Sequence, residues 1–174
     1  MIELGVPRFM ESENVQKVIV IGCPGSGKST FSKALHETTG LPLTHLDRLY
    51  WNADGTTVQK GTFMERLRQV LEKDAWIIDG NYGSTMELRM QACDTVFFLD
   101  YPLDVCMAGI RSRKGKERTD IPCVMPEDED DEFMSFIRSY HSVSRPAVME
   151  LLRKYAHKRI IIFKDRKEAA AFLS

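Results

Sequence analysis

KVIVIGCPGSGKST, residues 17–30, gives the clearest indication of the fold of this chain. Its first part, Lys17 to Ile21, is a continuous β-branched and apolar run, which is typical of a strand buried on both faces of a parallel sheet. A glycine-rich turn follows, and residues 28–39 then carry apolar side chains at helical spacing up to Gly40. A strand, a turn and a helix in this order predict the opening of a βαβ unit.

The turn itself, GCPGSGKS at residues 22–29, satisfies the pattern G-x-x-x-x-G-K-[ST]. Backbone N–H groups in such a turn converge on phosphate oxygens, and the N-terminus of the following helix adds a favourable dipole. We expect Lys28 to reach the β and γ phosphates and the Ser29 hydroxyl to ligate Mg²⁺. A dinucleotide-binding G-x-G-x-x-G pattern is excluded, because a motif begun at Gly25 would need glycine where Thr30 stands. The residues expected to bind ATP are Gly22, Pro24, Gly25, Ser26, Gly27, Lys28, Ser29 and Thr30.

Four further apolar runs predict strands, and each ends in or just before a charged residue. With the first run they make roughly five strands, and helical patterns lie between them. This alternation predicts an α/β fold of three layers, α/β/α, around a parallel sheet. The runs are LTHL before Asp47, WII before Asp79, TVFFL before Asp100 and RIIIF before Lys164.

Amphipathic patterns predict helices at about residues 63–73 and 103–111, and a longer one at about 133–155. Proline lacks an N–H and its ring clashes with the preceding turn, so Pro146 should kink or restart the last helix. We find no internal repeat and no linker in the sequence. A chain of 174 residues can bury one hydrophobic core, and we expect residues 1–174 to form a single domain.

The charges of the chain nearly cancel, because 24 lysine and arginine residues face 25 aspartate and glutamate residues, a net charge of −1. This balance gives no overall field for nucleic acid or an anionic membrane, so direct DNA binding is not expected. No apolar run approaches the ~18 residues of a membrane span, and the acidic opening residues are unlike a signal peptide. We therefore expect a soluble, cytoplasmic protein. The four cysteines lie far apart without a C-x-x-C pair, which favours reduced thiols over a zinc site or a disulfide framework.

Three aspartates that follow predicted strands are candidates for the chemistry. Asp79 and Asp100 each fit an acid that organises Mg²⁺ through water at the carboxyl end of a strand. Asp79 is favoured because Gly80 leaves space for phosphate, whereas Asp100 also suits a cap of the next helix. Asp47 ends the second strand, at the edge where open α/β sheets bind ligands. It is a candidate to hold or deprotonate an acceptor hydroxyl, and a capping carboxylate is the other interpretation.

A basic run, RSRKGKER at residues 111–118, lies at and after the end of a predicted helix. One interpretation is a solvated face, since the helix dipole favours positive charge at this end. The other is a lid that closes on the transferring phosphoryl group, supported by the loop-like residues 119–131 that follow. In that case Arg111 or Arg113 would contact the phosphates, with Arg145 in support.

These residues together resemble the adenylate-kinase-like branch of P-loop kinases, and most closely the small bacterial DNA topology modulation proteins. The resemblance implies a nucleoside-monophosphate-kinase-like core, an acceptor-binding insertion at about residues 48–73 and a small lid at about residues 112–131. The family name also implies a link to DNA topology. The matching segments are GCPGSGKST at 22–30, HLDRLYW at 45–51, WIIDGNY at 76–82, CDTVFFLDYP at 93–102, CMAGIRSR at 106–113 and KRIIIFKDRKEAAAFL at 158–173.

The resemblance also implies residues that bind the acceptor. Asp79 and Gly80 are similar to the aspartate–glycine pair of adenylate kinases, but Asn81 and Tyr82 stand where those enzymes have phenylalanine, proline and arginine. Arg89 is the nearest basic substitute. The acceptor-binding set is then Asp47, Trp51, Asp79, Gly80, Asn81, Tyr82 and Arg89.

Two classes of function are consistent with these features. The first is an enzyme that uses ATP and Mg²⁺ to transfer a phosphoryl group to a small acceptor, either a nucleotide or another metabolite. The second is a nucleotide-dependent regulatory or DNA-associated protein without a small acceptor; its GTPase form is disfavoured because no guanine-reading N-K-x-D motif occurs. For the enzyme, the residues expected to act in catalysis are Lys28, Asp47, Arg111, Arg113 and Arg145.

Overall fold

The computed structural model describes residues 14–123 and 131–174. Within these ranges the chain forms five strands and seven helices. The strands are β1 (Lys17–Gly22), β2 (Leu43–His45), β3 (Trp76–Asp79), β4 (Thr95–Leu99) and β5 (Arg159–Phe163). The helices are α1 (Lys28–Thr39), α2 (Leu46–Tyr50), α3 (Lys60–Leu71), α4 (Gly83–Ala92), α5 (Leu103–Arg113), α6 (Asp131–Lys154) and α7 (Arg166–Leu173).

The five strands form one parallel sheet in the order β2-β3-β1-β4-β5. The central strand is β1, and its residues Val18 to Ile21 are fully buried, as the continuous apolar run predicts. Val20 pairs with Asp79 of β3 on one side and with Phe97 of β4 on the other. The carboxyl ends of these strands therefore meet at one edge of the sheet. The predicted α/β fold with roughly five parallel strands is confirmed.

Helices cover both faces of this sheet. On one face, Val18 and Val20 pack in a cluster with residues of α1, α5, α6 and α7. On the other face, Ile19 and Ile21 pack with residues of α2, α3, α4 and the second half of α6. Burial of each such side chain stabilises the fold by about 1.5–3 kcal/mol, so alternate residues of β1 hold the two helical layers together. The predicted three-layer architecture is confirmed as well.

Helix α6 differs from the expectation at Pro146, because the helix is continuous from Asp131 to Lys154. Ile137 in its first half belongs to one core cluster, and Val148 in its second half belongs to the other. We attribute the continuity to this packing on both sides of the proline, which offsets the backbone hydrogen bond that proline cannot donate. The predicted restart of the helix at Pro146 is therefore wrong, and the alternative, a kink at Pro146, stays a prediction.

Three helices, α2, α4 and α7, have no counterpart among the sequence-based predictions. Helix α4 begins with glycine, serine and threonine, which form helices poorly. Helix α7 is only eight residues long, although it carries a start signal: the Asp165 side chain accepts a hydrogen bond from the N–H of Glu168 at 2.9 Å. Among the described residues no helix is both long enough and apolar enough to cross a membrane.

Candidate active site

Residues 22–29 form the turn between β1 and α1 at the carboxyl edge of the sheet. Gly25 has a φ of +84°, and a Cβ there would lie 2.0 Å from the carbonyl oxygen of Cys106. A Cβ at Gly109 would in turn lie 1.9 Å from the carbonyl oxygen of Gly25. The turn therefore packs backbone to backbone against α5, a contact that only glycine allows. We call residues 22–29 the phosphate loop.

Two side chains from distant segments hold the phosphate loop. Asn81 Nδ2 donates to the carbonyl oxygen of Gly22 at 2.6 Å, and Asn81 Oδ1 accepts from the Gly22 N–H at 3.2 Å. Arg166 donates to the carbonyl oxygens of Gly25 at 3.0 Å and of Ser26 at 3.3 Å. From the sequence, Asn81 is expected at the acceptor and no role is predicted for Arg166, because a lone arginine after a strand gives no indication of such a contact. Both residues fix the backbone of the loop.

The side chains expected to act on phosphate stand at the start of α1. Lys28 and Ser29 are partly exposed, and Thr30 is exposed. The residue that caps this helix, Gly27, offers no side chain to the first N–H groups. An anion that accepts hydrogen bonds from those groups would complete the helix terminus.

A segment downstream of the basic run docks on Ser29. Asp120 Oδ2 accepts a hydrogen bond from Ser29 Oγ at 3.3 Å. The same carboxylate accepts two hydrogen bonds from Arg118, from Nη2 at 2.7 Å and from Nε at 3.2 Å. Burial alone would raise the pKa of Asp120, but the hydrogen bonds and charge of Arg118 outweigh it and hold that pKa at about 2. No individual role is predicted for Asp120 from the sequence, because Asp120 lies in a segment without regular periodicity.

The two aspartates considered for Mg²⁺ have different partners. Asp79 is buried and accepts a hydrogen bond from His45 Nδ1 at 2.7 Å. Asp100 is held by Arg145 through two hydrogen bonds of 2.7 Å and by Lys164 Nζ at 2.6 Å. Burial works against the charge of Asp100, but these two cations still lower its pKa. Asp79 and Asp100 thus each have a partner within the protein, and which of them lies near a metal ion stays a prediction.

On the other side of the edge, Asp47 is paired with Tyr82. The Tyr82 hydroxyl donates to Asp47 Oδ1 at 2.6 Å, and burial followed by the charge of Asp47 raises the pKa of Tyr82. Tyr82 has a φ of +37°, a strained value for a residue with a side chain, and such strain is concentrated at functional sites. The preceding Gly80 has a φ of +133°, and a Cβ there would lie 2.9 Å from the Cβ of Leu46. The backbone of this loop is thus held in one unusual shape.

An aromatic pocket lies beside this pair and encloses about 400 Å³. The ring centroid of Tyr82 lies 5.2 Å from that of Tyr50 and 5.1 Å from that of Phe63. Trp51 extends the cluster, with its ring centroid 5.6 Å from that of Tyr50. Pockets of this size that combine apolar walls with a few polar groups suit small molecules. The residues that line the aromatic pocket are Tyr50, Val58, Lys60, Phe63, Tyr82 and Ser84.

Arg89, expected near the acceptor, lies inside the protein with 0% of its surface exposed. Its guanidinium donates to the carbonyl oxygens of Gly80, Asn81 and Tyr82 and to the hydroxyl of Thr85. Burial lowers the pKa of Arg89 to about 10. In this arrangement Arg89 holds the loop that carries Tyr82, and a contact with a ligand would require that loop to move.

The arginines expected to act on the phosphates lie in different surroundings. Arg111 is exposed on α5, Arg113 Cζ lies 6.0 Å from the ring centroid of Phe133, and Arg145 is bonded to Asp100. Residues 124–130 of the expected lid lie outside the described residues. Closure of the lid stays a prediction.

A larger open hollow of about 550 Å³ lies at the opposite edge of the sheet, between the starts of β4 and β5. Its polar groups already have partners in the protein. Lys158 Nζ donates to the carbonyl oxygens of Gln91 and Cys93, and Asp94 accepts from backbone N–H groups, including that of Lys17. We assign no ligand to this hollow.

The donor set near Ser29 suits Mg²⁺. The hydroxyl of Ser29 and the carboxylate of Asp120 are oxygen donors in contact, and hard cations prefer oxygen ligands. Within residues 14–123 and 131–174, no cluster of three or more His, Cys, Asp or Glu residues could hold a metal ion. Mg²⁺ bound with a nucleotide needs no such cluster, because phosphates and water supply most of its ligands.

No protein-family model matches the chain. A stretch of 109 residues is 26% identical to the adenylate kinase of Thermotoga maritima and covers 59% of this chain. The matched stretch spans 49% of that enzyme, so this chain matches only about half of its curated relative.

Solved structures match over most of the chain. The shikimate kinase of Acinetobacter baumannii, solved in complex with shikimate, has a TM-score of 0.58 and 17% identity, over 94% of this chain and 93% of that one. The shikimate kinase of Bacteroides thetaiotaomicron has a TM-score of 0.51 and 21% identity, over 91% and 94%. A sugar kinase of Janibacter sp. HTCC2649 has a TM-score of 0.52 and 15% identity, over 91% and 90%. At these identities the likeness concerns the fold alone, and the chain has the fold of P-loop kinases.

Proposed function

We propose that the chain is a kinase that uses ATP and Mg²⁺ to transfer the γ-phosphoryl group to a small acceptor in the cytoplasm. The observation that supports this most is that the phosphate loop lies at the same sheet edge as Asp47 and Asp79. In-line transfer requires a phosphate-binding turn and an acceptor-holding carboxylate near one another.

On the donor side, residues 22–30 bind the phosphates of ATP through backbone N–H groups, and Lys28 adds positive charge at the β and γ phosphates. Ser29 and Asp79 hold Mg²⁺, Asp79 through water. When bound, this ion neutralises charge on the phosphates. The fixed backbone of the phosphate loop supports this role, because catalysis by charge stabilisation needs groups that are in place before the reaction.

On the acceptor side, Asp47 accepts the proton of the acceptor hydroxyl as the acceptor oxygen bonds to the γ phosphorus. The bond from that phosphorus to the β–γ bridging oxygen breaks, which gives ADP and the phosphorylated acceptor. The insertion at residues 48–73 supplies most of the aromatic pocket, which holds the remainder of the acceptor. The shikimate bound to the Acinetobacter enzyme, a neighbour in fold, supports a small molecule of this kind.

The lid at residues 112–131 closes over the phosphates and brings Arg111 or Arg113 to the transferring group. Arg145 supports the closed state only after it leaves Asp100, to which it is now bonded. Exclusion of water by the lid would prevent hydrolysis of ATP without transfer.

The test is an acceptor screen that measures ADP production. Nucleosides, nucleotides and hydroxylated metabolites are offered singly with ATP and Mg²⁺, and supercoiled DNA is offered in a parallel series. We expect one class of small acceptor to accelerate ADP production in the wild-type chain and not in Lys28→Ala. Turnover that DNA stimulates and no small molecule does would contradict the proposal and favour a regulatory protein linked to DNA topology.

A further inference from the structure

The contact between Asp120 and Ser29 brings a carboxylate to the residue expected to ligate Mg²⁺. Asp120 comes from the irregular segment after α5, far along the chain from the phosphate loop. Its side chain is 11% exposed, and Oδ2 accepts from Ser29 Oγ at 3.3 Å. The roles proposed above do not use this carboxylate.

The position of Asp120 is fixed by its neighbour in the chain. The carbonyl oxygen of Thr119 accepts a hydrogen bond from Arg48 Nε at 2.8 Å, and the Thr119 hydroxyl is bonded to Lys33 Nζ. Arg48 belongs to α2 and Lys33 to α1, so the segment is attached on two sides. Asp120 is therefore presented to Ser29 by a docked backbone.

Asp120 already binds one cation at this point. Arg118 Nη2 lies 2.7 Å from Asp120 Oδ2, and the negative charges of Asp47 and Asp79 also act on Arg118. A guanidinium is thus bound to the same carboxylate that contacts Ser29. Carboxylates that stabilise a guanidinium can also stabilise a divalent cation at the same place.

We propose that Asp120 is a further residue of the Mg²⁺ site and that, with Ser29, it holds the nucleotide-bound ion directly or through one water molecule. This inference rests on the proposed function, since the ion arrives with ATP. In an octahedral Mg²⁺ site with oxygens at about 2.1 Å, adjacent ligand oxygens lie about 3.0 Å apart. The 3.3 Å between Ser29 Oγ and Asp120 Oδ2 is close to that distance. Binding of Mg²⁺ exchanges the Arg118 partner of Asp120 for the metal ion.

The experiment measures how much Mg²⁺ is needed for binding of a fluorescent, non-hydrolysable ATP analogue to the full chain. Asp120→Asn should raise the Mg²⁺ concentration at half-saturation about tenfold or more, the usual effect of losing a group that orients a metal site. Without Mg²⁺ the same variant should bind the analogue at least as well as wild type, because a negative charge near the phosphates is gone. Arg118→Met removes the competing cation and should lower the Mg²⁺ requirement. Asp104→Asn, an exposed aspartate on α5, is the matched control and should leave it unchanged.

A higher Mg²⁺ requirement in Asp120→Asn together with a lower one in Arg118→Met supports the proposal. An unchanged Mg²⁺ requirement in Asp120→Asn, or a rise in both Asp120→Asn and Arg118→Met, would overturn it and leave Asp120 as a partner of Arg118 only. If Asp120→Asn does not fold, Asp120→Glu keeps the carboxylate but moves it by one methylene, and a Mg²⁺ requirement equal to wild type would then overturn the proposal. A wild-type chain that binds no nucleotide at any Mg²⁺ concentration instead contradicts the proposed function itself.

Discussion

The donor and acceptor halves of the candidate site are built in different ways. The phosphate-binding part of the donor half is one continuous segment, residues 22–29, whose shape depends on glycines and on backbone contacts with α5. The acceptor half consists of side chains from three segments, represented by Asp47, Phe63 and Tyr82, that meet only after folding. A backbone site for phosphate can serve many enzymes, whereas a side-chain pocket can change from one enzyme to the next.

The largest expected effect tests the donor half. Lys28→Ala should lower kcat by a factor on the order of 10³ while the melting temperature stays close to wild type, because Lys28 adds charge to the transferring group and is not part of the core. The assay is ADP production with the acceptor found in the screen. Lys73→Ala, an exposed lysine beyond α3, is the control. Wild-type turnover in Lys28→Ala would remove the phosphate loop from the mechanism.

The proposed lid would join the two halves, and substitutions of its arginines should have the next largest effect on kcat. Arg111→Ala and Arg113→Ala, made singly, should lower kcat by a factor on the order of 10² for whichever residue contacts the transferring phosphoryl group. ATP affinity should change less, because the contact forms only in the closed state. Near-normal kcat in both variants and in the double variant would assign the basic run to a solvated face.

A comparison of Asp79 with Asp100 tests which of the two carboxylates organises Mg²⁺ in the donor half. Asp79→Asn should raise the Mg²⁺ requirement of turnover about tenfold, and by more than it weakens binding of metal-free nucleotide. Asp100→Asn should instead lower the thermal stability, since Arg145 and Lys164 lose their shared partner. If Asp100→Asn instead raises the Mg²⁺ requirement and Asp79→Asn lowers the thermal stability, the metal-organising carboxylate is Asp100, which follows β4.

The acceptor half is tested by Asp47→Asn and Tyr82→Phe. We expect Asp47→Asn to lower acceptor-dependent kcat, and Tyr82→Phe to raise KM for the acceptor severalfold because Asp47 loses the hydroxyl that orients it. Without acceptor, ATP affinity should remain within about twofold of wild type, since the two ligands occupy different ends of the site. Isothermal titration with an ATP analogue checks this point. A large loss of nucleotide affinity in either variant would contradict the division into two halves.

The smallest effect is on stability. The pKa of Asp120 falls from its ordinary value of 3.8 to about 2 on folding, so its ion pair stabilises the fold above pH 4 and loses that effect as the pH falls towards 2. This difference in pKa between the unfolded and folded states corresponds to about 2 kcal/mol. Asp120→Asn should therefore lower the free energy of unfolding by about that amount at pH 6. Urea unfolding should show a smaller difference in the free energy of unfolding between Asp120→Asn and wild type at pH 3 than at pH 6. If this difference is instead larger at pH 3, Asp120 is not charged in the native protein.

Much of the fold was predictable because the core of β1 leaves a continuous apolar run in the sequence. The phosphate loop was predictable for a related reason, since glycine, lysine and serine must occupy fixed positions along the chain. The contacts of Asn81 and Arg166 with the loop could not be predicted, because each joins residues more than fifty positions apart. The burial of Arg89 was missed because a basic residue normally indicates surface, and only the packed structure shows the carbonyl groups that surround it.

The loop at residues 80–82 contacts both ligand sites through adjacent residues, Asn81 to Gly22 and Tyr82 to Asp47. If an acceptor displaced Tyr82, the shortest route along the chain to the first residue of the phosphate loop would run through Asn81. Such a connection is a thermodynamic coupling, and it must be reciprocal: if the acceptor changes the dissociation constant of ATP by some factor, ATP changes that of the acceptor by the same factor. In the proposed kinase, residues 80–82 would then let the two substrates affect each other's binding without any change in the sheet.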